Sequence, residues 1–221
     1  MGKREIMLVL SILLLLVGSS KGLNEFDYYQ VIFQWQPAAC SSATLKSPCV
    51  KRPENRFTIH GVWPSLTSGN ATKCSGTPPY DGNKIYAIRS RLDQDWPSVV
   101  YGTNPTLWSH EWKTHGTCSN YYLDQYNYFN FGLSVFGKYN MISILRKYGI
   151  NPDGNDYSID YIESAIYNAT VKWPALRCNK NKSSGKKQLY EIALCFTKVN
   201  RALQDCPYNA VTCGNKFSWN S

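Results

Sequence analysis

The chain has 221 residues, of which 24 are Lys or Arg and 15 are Asp or Glu, giving a formal net charge of +9. Hydrophobic residues make up 43% and aromatic residues 14% of the chain, which excludes intrinsic disorder. Because no Gly-x-y period, heptad run or longer repeat is visible, collagen, coiled coils and solenoids are also excluded, and one globular domain is expected.

The N-terminal segment is typical of a secretory signal peptide. Lys3 and Arg4 precede an apolar run at 6–17, which is followed by small residues. The run is about twelve residues long, whereas roughly 20 are needed to cross a bilayer. We therefore predict that residues 1–22 are removed, that residues 23–221 form a secreted domain with no membrane anchor, and that the mature chain keeps a charge of +7.

The cysteines and glycosylation motifs fit the same compartment. Eight Cys follow the signal segment, and an even number in an exported chain predicts four disulfides, with 105 pairings open. Their spacing matches no zinc finger, ribbon or knuckle. Three Asn-x-Ser/Thr sequons, at Asn70, Asn168 and Asn181, indicate a glycoprotein.

The hydrophobic pattern in the first half of the chain predicts strands and then helices. Apolar and polar residues alternate over 29–36, which indicates a strand with one apolar and one mostly polar face. A second strand begins at Phe57 and is expected to end near Gly61 and Pro64. Helical spacing over 85–96 stops at Pro97.

The second half of the chain also contains both predicted helices and predicted strands. A broken helical region is predicted over 108–136, a short helix over 141–148, and a helix over 159–169 capped by Ser158. An exposed basic loop over 179–187 precedes a core strand over 189–196. Strands and helices in one domain indicate an α+β fold.

The three histidines carry the strongest chemical signal. His110 and His115 fall in the segment WSHEWKTHGTC at 108–118, which superficially resembles the HExxH motif of zinc proteases. The two histidines are five residues apart, so on a helix they project roughly 140° apart and cannot face one metal. Glu111 and His115 are four apart and share a helical face.

A carboxylate beside an imidazole is suited to acid/base chemistry, because the carboxylate can orient the ring and raise its pKa. His60, on the polar face of the second strand, is the remaining candidate for an opposing group. Two imidazoles can divide one phosphodiester transfer, and in RNA the nucleophile is the substrate's own 2′-hydroxyl, so neither a metal nor a protein nucleophile is needed. The +7 charge favours a polyanionic substrate. A serine hydrolase is disfavoured because no G-x-S-x-G elbow is present.

The segments FTIHGVWPS at 57–65, WSHEWKTHGTC at 108–118 and QWQP at 34–37 resemble the ribonuclease T2 family of secreted, metal-independent endoribonucleases. Basic charge, sequons and the spacing of the last four cysteines resemble the plant S-type members, which act in self-incompatibility. The resemblance implies an α+β fold with a central antiparallel sheet surrounded by helices, four disulfides, no cofactor, and a monomer. Its implied partners are single-stranded RNA and, for an S-type member, pollen F-box proteins.

The resemblance also implies residue roles. His115 would be the general base toward the 2′-hydroxyl, His60 the general acid toward the 5′-oxygen, and Glu111 an orienting or stabilising group, with a 2′,3′-cyclic phosphate as product. His110 would lie beside the scissile phosphate. The base after the cut would bind at Gln34, Ser98, Val100 and Leu107. The implied disulfides are Cys40 with Cys49, Cys74 with Cys118, Cys178 with Cys213, and Cys195 with Cys206.

One position departs from the family pattern. The family usually has Lys immediately before the last histidine of the second segment, whereas this chain has Thr114 there and Lys113 one residue earlier. A lysine at that place would stabilise charge developing on the phosphate, so reduced activity is expected. Two alternatives stay open: an S-like ribonuclease acting in defence or phosphate scavenging, and a non-catalytic secreted glycoprotein on the same fold.

Overall fold

The structure is a computed structural model that describes residues 25–42, 44, 46, 49–68, 72, 74–100, 102–207 and 211–221. The predicted signal peptide at 1–22 and the sequon at Asn70 lie outside the described residues. In the described part of the chain, no helix has the length and apolar character needed to cross a membrane.

One sheet forms the centre of the domain, with strand order β2-β1-β5-β7-β3 and with β4 and β6 also paired to β5. Its pairs are antiparallel except β5 with β7. The strands are β1 Tyr28–Trp35, β2 Phe57–Ser65, β3 Asp156–Ser158, β4 Ala175–Lys180, β5 Lys187–Thr197, β6 Leu203–Gln204 and β7 Lys216–Ser218.

Helices surround this sheet, as expected for the α+β class. The α-helices are α1 Gln36–Cys40, α2 Arg89–Asp95, α3 Asn104–Thr114, α4 Gln125–Lys138, α5 Met141–Lys147 and α6 Ile159–Thr170. Two 3₁₀ turns, Gly82–Ile88 and Gly116–Ser119, precede α2 and follow α3. As predicted, Ser158 caps α6, its Oγ accepting from the Tyr161 amide, and Gly149 ends α5 with a φ of +71°.

An aromatic core fixes the helices to the strand that carries His60. Trp96 Nε1 donates to the His60 carbonyl at 2.8 Å, and Trp108 Nε1 donates to the Trp96 carbonyl at 2.9 Å. Tyr128 on α4 donates to the Val62 carbonyl at 2.7 Å. Each of these three aromatic side chains thus donates to a backbone carbonyl, and these bonds hold α3 and α4 in register with β2.

The structure corrects one expectation about the strands, the end of β2. The polar residues of β1 are buried: Gln30 and Gln34 are enclosed, and Gln34 Nε2 donates to the Tyr190 hydroxyl at 2.8 Å. β2 does not end near Gly61 but continues to Ser65. Pro64 is tolerated because β2 lies at the edge of the sheet, where a missing N–H leaves no ladder bond unmade.

The basic loop is shorter than expected, and the disulfides are those that the resemblance implies. Asn179 and Lys180 belong to β4 and Lys187 to β5, so the segment is a hairpin whose tip alone is irregular. Paired strands satisfy the backbone groups that a free loop would leave to water. All four disulfides form: Cys40–Cys49, Cys74–Cys118, Cys178–Cys213 and Cys195–Cys206.

Candidate active site

His60 occupies a β-bulge. In the β1–β2 ladder, Ile32 pairs with Gly61 and Phe33 pairs with Ile59, so His60 is the extra residue on β2. A bulge breaks the alternation of side chains and re-aims one of them, which is why bulges recur beside active sites. The bulge accordingly allows the His60 ring to reach across to β5, two strands away in the sheet.

On β5 the ring meets Glu191. His60 Nδ1 lies 2.5 Å from Glu191 Oε1, and the other carboxylate oxygen lies 3.4 Å from a guanidinium nitrogen of Arg177. Burial alone would lower the pKa of His60, but the Glu191 carboxylate outweighs it and the pKa is raised above its ordinary 6.5. His60 therefore favours the protonated form.

His115, unlike His60, favours the neutral form. It follows the last residue of α3 as a C-cap, and its ring stacks on Trp63 with centroids 5.1 Å apart and planes 26° apart. Its Nδ1 is buried and has no hydrogen-bond partner among the described residues. Burial, together with the neighbouring His60 and His110, lowers the pKa of His115 to about 3. This imidazole is neutral and able to accept a proton.

Trp63 links the two imidazoles to Glu111. Its ring centroid lies 5.2 Å from that of His60, and its Nε1 donates to Glu111 Oε2 at 3.1 Å. Glu111 is only 2% exposed. Burial raises its pKa to about 7, although His60 and the Trp63 hydrogen bond act in the opposite direction.

The prediction that Glu111 raises the pKa of His115 is therefore wrong. Glu111 hydrogen-bonds Trp63, and the pKa of His115 is lowered, not raised. The reason is that α3 ends at Thr114 and His115 leaves helical geometry, with a φ of −126°. Both Glu191 and, to a smaller extent, Glu111 raise the pKa of His60 instead.

A cavity of about 220 Å³ opens beside His60. It brings together all four residues expected to hold a base, Gln34, Ser98, Val100 and Leu107. Tyr190, hydrogen-bonded to Gln34, also lines it. The Ser98 amide donates to Asn104 Oδ1 at 2.8 Å, so the cavity wall is tied to the first turn of α3.

The remaining predicted residues lie at the end of α3. His110 is exposed and interacts electrostatically with His115, while Thr114 is half-buried. Lys113 is exposed and its stem passes Gly76, where a Cβ would lie 3.2 Å from Lys113 Cγ. Its side chain thus runs along the loop that the Cys74–Cys118 disulfide ties to this end of the helix.

The sequence did not identify three contributors, Glu191, Trp63 and Arg177. A carboxylate within a strand of otherwise apolar character, LYEIALCF, was the available signal for Glu191. Trp63 follows His60 by three residues in the same motif, but a motif does not show which side chains touch each other. In the part of the chain that the structure describes, no three His, Cys, Asp or Glu side chains are grouped so as to hold a metal ion.

Comparison with known proteins shows the family of this chain. The family model for the ribonuclease T2 family matches residues 26–206. Ribonuclease MC of Momordica charantia is 34% identical over 192 residues, covering 87% of this chain and 99% of the relative. Extracellular ribonuclease LE of Solanum lycopersicum is 31% identical, covering 97% and 96%. The structure of ribonuclease MC1 from bitter gourd seeds superposes with a TM-score of 0.80 at 34% identity, covering 87% and 99%.

The relatives are otherwise mixed. They include ribonuclease S-7 of Pyrus pyrifolia, 33% identical with 91% and 88% coverage, and intracellular ribonuclease LX of Solanum lycopersicum, 31% identical with 98% and 92% coverage. RNase NT was solved in complex with 5′-AMP and superposes with a TM-score of 0.77 at 29% identity, covering 89% and 98%. The chain belongs to the ribonuclease T2 family and is a T2-type endoribonuclease.

Proposed function

We propose that the protein is a secreted enzyme that cleaves single-stranded RNA by metal-independent transphosphorylation through a 2′,3′-cyclic phosphate. One observation carries this proposal: two imidazoles contact the same Trp63 ring, and their pKa values are displaced in opposite directions. Pairs of titratable groups displaced in this way are typical of acid/base partners.

In the proposed reaction, neutral His115 accepts the proton of the 2′-hydroxyl while the 2′-oxygen attacks phosphorus. Protonated His60 donates a proton to the 5′-oxygen as the phosphorus–oxygen bond breaks. The cavity beside His60 would hold the base that follows the cut, with Gln34 and Ser98 as polar contacts and Leu107 as an apolar one. Relatives solved in complex with 5′-UMP and 5′-AMP support nucleotide binding by this fold.

A homopolymer digest in EDTA tests the mechanism. We expect fragments that end in 2′,3′-cyclic phosphate, detectable by ³¹P NMR, and a large loss of kcat in His60→Ala and in His115→Ala with the fold retained. Absence of cyclic ends would instead support the non-catalytic glycoprotein, for which Thr114 is the main argument. Loss of cleavage in EDTA would contradict a metal-free mechanism.

The biological role we propose is that of a stylar S-RNase in gametophytic self-incompatibility, with pollen F-box proteins as partners. The basic mature chain and the pear S-7 relative support it, while relatives such as ribonuclease LE keep the S-like role as the alternative. Segregation of the gene with pollen rejection tests the role. N-terminal sequencing of the protein from tissue would test removal of residues 1–22, and peptide mapping would test glycosylation at the sequons.

A further inference from the structure

Glu191 lies at the meeting point of three strands and has no part in the reaction as described above. It pairs with Gln34 of β1 on one side and with Arg177 of β4 on the other, and it is 2% exposed. Both of its carboxylate oxygens are engaged, one by His60 Nδ1 and one by Arg177. A fully buried carboxylate is unfavourable unless charged or hydrogen-bonding partners compensate it.

Arg177 is itself fixed. Its second guanidinium nitrogen donates to Gln30 Oε1, and the guanidinium carbon lies 5.3 Å from the centroid of the Trp63 ring. Gln30 is held in turn by the Ser65 hydroxyl at 2.9 Å and the Tyr28 hydroxyl at 3.0 Å. The carboxylate therefore cannot follow His60 if the ring rotates, because its other oxygen is anchored to a rigid sheet.

We propose that Glu191, anchored by Arg177, is a positioning residue that holds His60 with Nδ1–H bonded to the carboxylate and Nε2 facing the substrate. This inference rests on the proposed function, because it assigns His60 the role of proton donor. A carboxylate that accepts from one ring nitrogen fixes both the ring orientation and the tautomer.

The proton balance of the step follows from this arrangement. His60 enters as an imidazolium, with one proton shared with Glu191 and one on Nε2. The Nε2 proton passes to the departing 5′-oxygen, and the ring is left neutral with its Nδ1 proton still bonded to the carboxylate. Glu191 stays ionised throughout, and Arg177 balances its charge when His60 becomes neutral.

Dependence on the leaving group distinguishes this role from a structural one. A dinucleotide has an alkoxide leaving group that needs a proton, whereas a nucleoside 3′-(4-nitrophenyl phosphate) releases nitrophenolate without one. For Glu191→Gln we expect kcat on the dinucleotide to fall about 100-fold, within the range that general acid catalysis supplies. On the nitrophenyl ester we expect the same kcat as the wild-type protein.

Two further variants serve as controls, one for the charge of Arg177 and one for the loss of a carboxylate outside the site. Because Glu191→Gln leaves Arg177 unpaired, Glu191→Gln/Arg177→Met removes both charges and should show the same dependence on the leaving group. Glu163→Gln is a matched control, since Glu163 is a half-buried carboxylate on α6 lining a different cavity, and it should leave both substrates unaffected. Thermal unfolding of each variant checks the fold.

The outcomes are distinct. Equal losses on both substrates in the folded variants, or a change in KM alone, would overturn the positioning role while leaving the proposed function intact. Unchanged kcat on the dinucleotide would overturn it as well. If the wild-type protein cleaves neither substrate, the proposed function itself fails, and this inference fails with it.

Discussion

The indole of Trp63 stacks on the imidazole of His115, with ring centroids 5.1 Å apart. His60 is oriented through a hydrogen bond from Nδ1, whereas His115 Nδ1 has no hydrogen-bond partner in the described chain, so ring packing must hold it instead. The contact also removes water from His115, which contributes to its low pKa. Trp63 is in turn fixed by its hydrogen bond to Glu111.

Gly61→Ala tests the importance of this packing. A Cβ at Gly61 would overlap both Trp63 Nε1 and Glu111 Oε2, so the hydrogen bond between them must break or the ring must move. We expect a loss of about 1–3 kcal/mol in the free energy of unfolding, as for other overpacked sites, together with a clear loss of kcat. Urea unfolding and dinucleotide kinetics measure the two effects.

Gly137→Ala is the matched control, because a Cβ there would meet nothing within 4 Å on α4. It should be neutral or slightly stabilising, since Ala has the higher helix propensity. Normal kcat in Gly61→Ala would show that His115 does not depend on the position of Trp63.

Thr114→Lys restores the cation that the family usually has before the second histidine. Lys113, one residue earlier, has its stem beside Gly76, where a Cβ would lie 3.2 Å from Lys113 Cγ. We expect kcat to rise by about tenfold or more, since one preorganised group facing developing charge is worth about that much or more. Steady-state kinetics at fixed ionic strength measures the change.

Ser134→Lys controls for the added charge, because Ser134 is exposed on α4 and its hydroxyl donates to the Asn130 carbonyl of the same helix. It should alter KM for long RNA slightly and kcat not at all. An unchanged kcat in Thr114→Lys, with Lys113→Ala also without effect, would contradict this account of the phosphate site.

The sequence predicted those parts of the site that depend on local spacing. The strand around Phe57, the helix that carries Glu111, and the two histidine segments follow from periodicity and motif. The family pattern named four further residues, Leu107 among them, that line one cavity in the structure. These features require only the chain near each residue.

The rest depends on contacts between distant segments. Glu191 follows His60 by 131 residues and reaches it only because β5 pairs with β1 and a bulge redirects His60. Glu111 and His115 do not share a helical face as predicted, because α3 ends at Thr114, one residue before His115. Neither the bulge nor the helix end has a signature that periodicity alone could reveal, so the sign of the pKa change at His115 was not predictable.

The dependence of kcat/KM on pH tests the two histidine assignments. His60 must be protonated, so kcat/KM should fall on the alkaline side as the pH passes its pKa. Burial lowers this pKa, but Glu191 outweighs the burial and holds the pKa above 6.5. His115 must be neutral, so the acid side should fall only as the pH approaches about 3. Dinucleotide kinetics between pH 3 and 9 gives both limbs.

His110→Asn tests whether the acid limb of the pH profile belongs to His115. His110 is one of the groups that lower the pKa of His115, so its replacement should move the acid limb to higher pH. The alkaline limb, which belongs to His60, should stay where it is. Movement of both limbs, or of neither, would mean that the acid limb does not report His115.

The contribution of Glu111 to the free energy of unfolding should be larger in acid than near neutral pH. Its pKa is about 7 when folded and near 4.5 when unfolded, so the folded state binds the proton more tightly. A raised pKa contributes stability that is present below pH 4.5 and lost as the pH rises through about 7. At 1.36 kcal/mol for each unit of difference between the two pKa values, the loss amounts to about 3 kcal/mol.

Urea unfolding at pH 4.5 and 8 tests this effect. As the pH rises, the free energy of unfolding of Glu111→Gln should increase relative to that of the wild-type protein. Glu54→Gln, at an exposed carboxylate, should parallel the wild-type protein. A constant difference between Glu111→Gln and the wild-type protein at both pH values would contradict a protonated Glu111 in the folded site.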